Sequence, residues 1–324
     1  VKAVIPVAGE GTRLRPQTHT IPKPLIRVAG KPILGHILDD VDALGINEIV
    51  LVVGYRGRDI VDYVESTYKM DVKVIEQKER LGLGHAIYVS REFVGDTPVL
   101  IMLGDSIFKG DLGAMTRGGG NYIGVKQVAD PRRFGIVELE GDRIVNLVEK
   151  PDTPKSDLAV VGVYSIEDSK ALYDALDSII ASGRRTKGEF QLTDALNRMI
   201  GQGVVIKAFE VEGWYDCGKP ETLLETNRAL LDMASPRPEV PGSIVVPPVH
   251  MAPDVRMEHS VIGPHVSIAG GSIVRRSIVK NSIIGENALV EDALLESSLI
   301  GDNAVVRGMF KKLNVGDSSE IDFT

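Results

Sequence analysis

Between Val261 and Ala304 one six-residue phrase recurs. It reads Val261-Ile262-Gly263-Pro264-His265-Val266, then Ile283-Ile284-Gly285-Glu286-Asn287-Ala288, then Leu299-Ile300-Gly301-Asp302-Asn303-Ala304. Ile262, Ile268 and Val274 step by six, and so do Ile278, Ile284 and Val290. Branched apolar residues at this stride fit neither the 3.6-residue turn of a helix nor the two-residue period of a strand. They predict a solenoid whose flat faces are short strands, a β-helix. The steps between the Ile-Gly pairs are unequal, so some coils carry insertions or offsets. Upstream, Ser235-Pro236-Arg237-Pro238-Glu239-Val240-Pro241-Gly242 and Pro247-Pro248 form a proline-rich stretch that reads as a domain boundary. The expected organisation is a first domain over 1–234, a linker over 235–248 and a repeat domain over 249–324.

The first half alternates strand-like and helix-like segments. Lys2 to Ala8, Glu48 to Val53, Val72 to Glu76 and Pro98 to Leu103 are apolar or β-prone runs. Between them, Ile33 to Leu44, Arg58 to Tyr68 and Ala86 to Phe93 carry helical spacing. Buried strands separated by helices predict a parallel sheet wound on both sides. The middle of the chain reads differently, with strands at Tyr122–Val128, Ile136–Leu139, Arg143–Val148 and Val160–Ile166 on short connections and a hairpin turn at Gly141-Asp142. Helices are expected over Ser169–Ala181, Thr193–Ile200 and Glu221–Met233, and a strand over Val204–Val211.

Charge and cysteine usage exclude several function classes. A net charge of -8 leaves no global basic footprint for nucleic acid or anionic membrane. A single cysteine, Cys217, excludes an internal disulfide framework and a cysteine-rich zinc module. The six histidines show no zinc spacing. No apolar run approaches the ~20 residues that span a bilayer, and the first residues lack the pattern of a signal peptide. The expectation is a soluble, cytoplasmic protein.

Chemistry gathers after the first strand. Gly9-Glu10-Gly11-Thr12-Arg13-Leu14 is a glycine-rich turn that brings its own cation. Backbone N–H groups in such a turn can approach a phosphate closely. It is not a Walker loop, and Leu14 stands where a dinucleotide fingerprint needs its third glycine. A second cation, Lys23, is pinned in Pro22-Lys23-Pro24. Strand, G-x-G-T-R-L and P-K-P in this order resemble the sugar-1-phosphate nucleotidylyltransferases, over Val1 to about Met233. Leu103-Gly104-Asp105, Phe134-Gly135, Glu149-Lys150-Pro151, Val161-Gly162-Val163-Tyr164, Gln191-Leu192-Thr193-Asp194-Ala195 and Trp214-Tyr215-Asp216-Cys217-Gly218 extend the likeness. The repeat tail is similar to that of the long form of glucose-1-phosphate thymidylyltransferase.

The resemblance implies an α/β fold: a Rossmann-like doubly wound nucleotidyltransferase domain followed by a short left-handed β-helix of hexapeptide repeats. It also implies a reaction in which a sugar 1-phosphate oxygen attacks the α-phosphorus of dTTP or UTP and pyrophosphate leaves. The nucleophile is already anionic, so cations and a divalent ion, Mg2+, are needed rather than a general base. Carried over residue by residue, Val7 and Ala8 bind the nucleotide, and Gly9, Gly11 and Thr12 cradle its triphosphate. Arg13 neutralises the leaving pyrophosphate, and Lys23 contacts the α-phosphate. Asp105 and Asp216 hold the metal, which makes Arg13, Lys23 and Asp105 the catalytic set. Gln77 and Gly82 read the pyrimidine edge. Ser106, Gly135, Glu149, Lys150 and Gly162 take the sugar phosphate.

Ser106 replaces the asparagine of the thymidylyltransferase pattern, which leaves the sugar open among glucose, galactose, mannose and N-acetylglucosamine. Ile5-Pro6-Val7-Ala8-Gly9, Leu83-Gly84-His85-Ala86, Glu189-Phe190-Gln191-Leu192-Thr193-Asp194 and Asp216-Cys217-Gly218 resemble bacterial UDP-glucose pyrophosphorylase instead. A pocket rarely discriminates one methyl by more than ~1–3 kcal/mol, so both UTP and dTTP are expected substrates. Two other readings are an acyltransferase solenoid and a non-catalytic nucleotide-sugar-binding regulator. The solenoid is expected to serve homo-oligomer assembly or allosteric control.

Overall fold

The computed structural model describes residues 1–54, 56–234 and 236–308. The chain divides into two compact units, one of Val1–Arg27 with Lys31–Thr226, the other of Val28–Gly30 with the described residues from Asn227 onward.

The first unit is built on a nine-stranded sheet. Its order is Asp71–Glu76, Glu48–Val53, Lys2–Val7, Val99–Met102, Leu158–Ile166, Asn121–Gln127, Ile206–Glu210, Arg143–Glu149 and Gly135–Glu140. The first four strands run parallel, as their continuous apolar runs require once helices cover both faces. The later strands make the sheet mixed: Leu158–Ile166 is antiparallel to both Val99–Met102 and Asn121–Gln127. The expected hairpin at Gly141-Asp142 joins Gly135–Glu140 to Arg143–Glu149.

Helices follow their sequence signals. Helix Ile33–Ala43 buries Ile33, Leu34, Ile37, Leu38 and Val41 completely. Truncating one such leucine to alanine costs about 2–5 kcal/mol. In helix Ser169–Ser182 the Asp168 carboxylate accepts from the Ala171 N–H at 2.9 Å, and Gly183 ends the helix in the left-handed region. The single helix expected over Ala86–Phe93 is instead two, Leu83–Tyr88 and Arg91–Val94. At the break, buried Ser90 donates back to the Ile87 carbonyl at 2.6 Å and lies 2.8 Å from the Tyr173 hydroxyl. A serine bonded to its own turn competes with the helix ladder.

The second unit contains three short parallel sheets of a β-helix, consistent with the left-handed class. Ile262, Ile268 and Val274 point inward and are fully buried. In the second stride-six series Ile284 and Val290 are buried, but Ile278 is 42% exposed and Val279 takes the inward place, paired with Ile262. Coil length explains the shift. Ser277 N donates to Ser260 Oγ seventeen residues back, whereas Ala293 N donates to Ser277 Oγ only sixteen back. The proline-rich stretch contributes Ile244–Val245 to the solenoid, parallel to Val261–Ile262. Asn227 is fully buried in this unit, where its Oδ1 accepts from Ala29 N at 2.8 Å and Ser267 Oγ at 2.7 Å. The end of the expected repeat domain, residues 309–324, lies outside the described residues. Among the described residues no helix is long and apolar enough to cross a membrane.

Candidate active site

The functional side chains of the first unit collect at the carboxyl ends of its parallel strands, where an open α/β sheet leaves room for ligands. Strand Lys2–Val7 feeds the glycine turn, and a single 3-10 turn over Thr12–Leu14 follows. Leu14 is fully buried and anchors that turn, leaving Thr12 and Arg13 exposed. Gly11 sits at φ +64°, and a Cβ there would come within 2.9 Å of the Lys23 Cβ. Only glycine fits both demands. Thr18 Oγ1 donates to the Gly11 carbonyl at 2.9 Å, fixing the turn from behind. Glu10 pairs with Arg15 at 3.7 Å and also with Arg80.

Lys23 opens a second 3-10 turn, is 7% exposed, and sets its Nζ 2.8 Å from Asp105 Oδ2. Asp105 follows strand Val99–Met102. Leu103 N donates to the Gly162 carbonyl at 2.9 Å and Gly104 N to the Pro6 carbonyl at 3.3 Å, which steers the chain to the rim. Strand Ser106–Lys109 then pairs antiparallel with Gly213–Asp216, setting Ser106 opposite Asp216. Cys217 N donates to the Asp105 carbonyl at 3.0 Å. Two aspartates far apart in sequence are thus tied to adjacent backbone positions. Gly218 N donates to Asp216 Oδ1 at 2.8 Å. A Cβ on Gly218 would meet Asp216 Oδ1 at 2.8 Å and Arg13 Nη2 at 3.3 Å, so that side of the rim is closely packed. Cys217 is fully buried, and burial pushes its thiol up to about 12, so it is an inert neighbour of these charges.

Two cavities adjoin here. The first, about 470 Å³, is lined by Val7, Ala8, Gly9, Gly11, Thr12, Arg13, Lys23, Gln77 and Gly82 among others. The second, about 420 Å³, is lined by Ser106, Gly135, Glu149, Lys150, Gly162 and Asp216. Arg13, Leu83, Leu103 and Asp105 line both. Lys23 borders only the first and Asp216 only the second.

In the second cavity Glu149 is held at both oxygens, by Lys150 Nζ at 3.3 Å and by Thr193 Oγ1 at 3.3 Å. Lys150 sits at φ +45°, a conformation costing about 1 kcal/mol for a residue with a Cβ, and its N–H donates to the Phe134 carbonyl at 3.0 Å. Phe134 and Trp214 meet edge to face at 5.1 Å on the same wall. Polar or aromatic lining residues that sequence does not single out include Arg80 in the first cavity and Arg133, Thr193 and Trp214 in the second. Thr193 and Trp214 lay inside recognised motifs, but nothing in the motifs marked their side chains.

The carboxylates bear on a metal. Among the described residues no group of three or more His, Cys, Asp and Glu side chains could enclose an ion. Asp105 and Asp216 offer carboxylate oxygens beside cavities also lined by Arg13, Lys23 and Lys150. That donor set fits Mg2+, which takes one or two carboxylates and fills its octahedron from phosphate and water.

The Nucleotidyl transferase family profile matches residues 2–233. The chain is 36% identical over 249 residues to low-salt glycan biosynthesis nucleotidyltransferase Agl11 of Haloferax volcanii, covering 72% of this chain and 66% of that protein. It is 37% identical over 287 residues to a glucose-1-phosphate thymidylyltransferase of Streptomyces antibioticus, covering 84% of this chain and 79% of that protein. A solved UDP-glucose pyrophosphorylase complexed with UDP-glucose superposes with a TM-score of 0.63 at 26% identity, over 72% of this chain and 98% of that one.

Proposed function

The chain belongs to the nucleotidyl transferase family, and from that premise we propose that it transfers a nucleotidyl group from dTTP or UTP to glucose 1-phosphate, releasing pyrophosphate. The observation that carries this reading is the pair of cavities sharing a wall at Arg13 and Asp105. A nucleotide in the first and a sugar phosphate in the second would bring two phosphates to that wall. A sugar 1-phosphate oxygen forms the new bond to the α-phosphorus as the bond to pyrophosphate breaks. No proton has to be removed from the nucleophile, so the work is positioning and charge neutralisation.

Gly9, Gly11 and Thr12 offer backbone N–H groups to the triphosphate. Arg13 neutralises the departing pyrophosphate, and Lys23, released from Asp105, meets the α-phosphate. Asp105 and Asp216 would hold Mg2+, which when bound supplies positive charge to phosphate oxygens. Glu149 accepts from sugar hydroxyls and Lys150 holds the sugar phosphate, with Gly135 and Gly162 allowing close approach. Ser106 in place of asparagine keeps N-acetylglucosamine, galactose and mannose 1-phosphates as alternatives. The working division is catalysis in the unit that ends at Thr226 rather than at 234, and assembly in the unit whose solenoid already includes Ile244–Val245 rather than starting at 249, in the cytoplasm, where nucleoside triphosphates are held.

Assembly is supported by one face of the solenoid. Ile244, Val261, Ile278 and Leu294 stack in register on its outside, with Ile244 at 61% and Leu294 at 75% exposure. Lys280 and Glu296 form the next outward column on adjacent coils. A second copy rotated about an axis along the strands sets apolar column on apolar column and Lys280 against Glu296. Leu294→Glu is expected to shift sedimentation toward a smaller species; unchanged sedimentation removes this face as the contact.

The function is tested by a matrix of UTP, dTTP, CTP, ATP and GTP against the 1-phosphates of glucose, galactose, mannose and N-acetylglucosamine, reading pyrophosphate. Release with UTP or dTTP and glucose 1-phosphate, abolished by EDTA, is the expected result. No release with any pair contradicts the proposal.

A further inference from the structure

Gln77 ends the strand Asp71–Glu76, with its N–H held by the Val53 carbonyl at 2.8 Å, and it is only 7% exposed. Its side-chain amide is already engaged at one end. Nε2 donates to the Gly82 carbonyl at 3.1 Å and lies 3.2 Å from His85 Nδ1. A primary amide nitrogen has two hydrogens, and with His85 Nδ1 unprotonated these partners take both. The end left for the first cavity, which Gln77 lines, is the acceptor Oε1. The internal bonds leave this amide acceptance only toward the cavity.

We propose that His85 is a positioning residue. By accepting from Nε2 it fixes the Gln77 carbonyl toward the nucleotide base, so the cavity takes bases with a hydrogen on N3 and rejects cytosine. Uracil and thymine carry N3–H and donate to Oε1. Cytosine presents an unprotonated N3, which sets two acceptors against each other and leaves both unsatisfied. The inference rests on the pyrimidine reading above and names what enforces it. It also predicts that uracil and thymine are treated alike, since the methyl group lies away from N3.

The arrangement requires a neutral imidazole with its hydrogen on Nε2. Burial of the ring holds the His85 pKa below the ordinary histidine value, with Glu79 the charged group acting in opposition. Protonation turns Nδ1 into a donor facing a donor. Rotating the amide does not resolve the conflict, because Oε1 would then face the Gly82 carbonyl.

The test is the ratio of kcat/KM for UTP to that for CTP, with glucose 1-phosphate, from mildly acidic to mildly basic pH. His85→Leu removes the acceptor and is expected to lower the ratio about tenfold, through the KM for UTP, leaving the KM for glucose 1-phosphate unchanged. His85→Asn keeps an acceptor and restores the ratio. In the unaltered enzyme the ratio falls as pH drops through the imidazole titration, and in His85→Asn it stays flat. A wild-type ratio in His85→Leu, or a pH trend that persists in His85→Asn, overturns the proposal. Should His85→Leu fail to fold, the two pH profiles decide. Gln77→Leu separates the claims: if it leaves the ratio intact, the pyrimidine reading falls and this role with it. If it collapses the ratio while His85→Leu does not, the reading stands and the role of His85 is lost.

Discussion

The corners of the solenoid and the rim of the nine-stranded sheet both place polar side chains at the ends of parallel strands, and they use them in opposite ways. Ser260 and Ser277 are almost fully buried. Each donates to the carbonyl two residues before it at 2.8 Å and accepts an N–H from the next coil, Ser277 N for Ser260 and Ala293 N for Ser277. Ser272 makes both bonds to the next coil, donating to the Gly285 carbonyl at 2.6 Å and accepting from Ala288 N. Nothing is left over for a ligand. At the sheet rim, Arg13 is exposed, Asp105 keeps 42% of its side chain accessible, and the glycine turn presents backbone to a cavity. Satisfied polar groups make a scaffold; polar groups with capacity to spare make a site.

The comparison is broken most forcefully by swapping the expected phenotypes. Arg13→Ala should lower kcat/KM by about 10²–10³-fold, the usual effect of losing one transition-state charge contact, with the thermal midpoint unmoved. Equal turnover would place Arg13 among the surface cations. Ser277→Ala should do the reverse. Leaving the buried Ala293 N–H without its acceptor costs roughly 1–3 kcal/mol, visible as a lower denaturant midpoint, while kcat is unchanged. A fall in kcat as large as that of Arg13→Ala would erase the distinction between scaffold and site.

A smaller effect sharpens it from the side of the first unit. Asp40 is partly buried, its Oδ2 has no hydrogen-bond partner among the described residues, and burial raises its carboxyl from 3.8 to about 6. A raised pKa means the folded state holds the proton more tightly than the unfolded state. Stability from this group is therefore present below about pH 4 and is lost as pH rises through about 6. Discounted for partial exposure, the loss is about 1–2 kcal/mol. Asp40→Asn should flatten that slope and stabilise the protein above pH 6, without altering the pH dependence of turnover. A slope that survives the substitution assigns it to other carboxylates.

Local pattern carried much of the fold. The strands over residues 2–7, 48–53 and 99–102 are legible because both faces of each are covered, which makes them continuous apolar runs. The stride of six marks the solenoid because its corners repeat. What failed depends on counts or on distant partners. The stride of six does not tell which residue faces inward at Ile278, because one coil is a residue shorter than the one before it. The pairing of Ser106–Lys109 with Gly213–Asp216 joins segments about a hundred residues apart, and neither segment announces its partner. That pairing is what sets Asp216 beside Asp105, so motifs could name the two aspartates but not explain their meeting. Thr193 and His85 work through other side chains, Glu149 and Gln77, and such roles leave no mark in residue order.

In the proposed reaction two polyanions meet across the wall made by Arg13 and Asp105. A crystal structure of the protein with UDP-glucose and Mg2+ is the decisive test. The diphosphate should span the two cavities, within hydrogen-bonding distance of Arg13 and Lys23, with the hexose against Glu149 and the ion at Asp105 and Asp216. A diphosphate bound elsewhere, with the Lys23–Asp105 pair undisturbed, would contradict it.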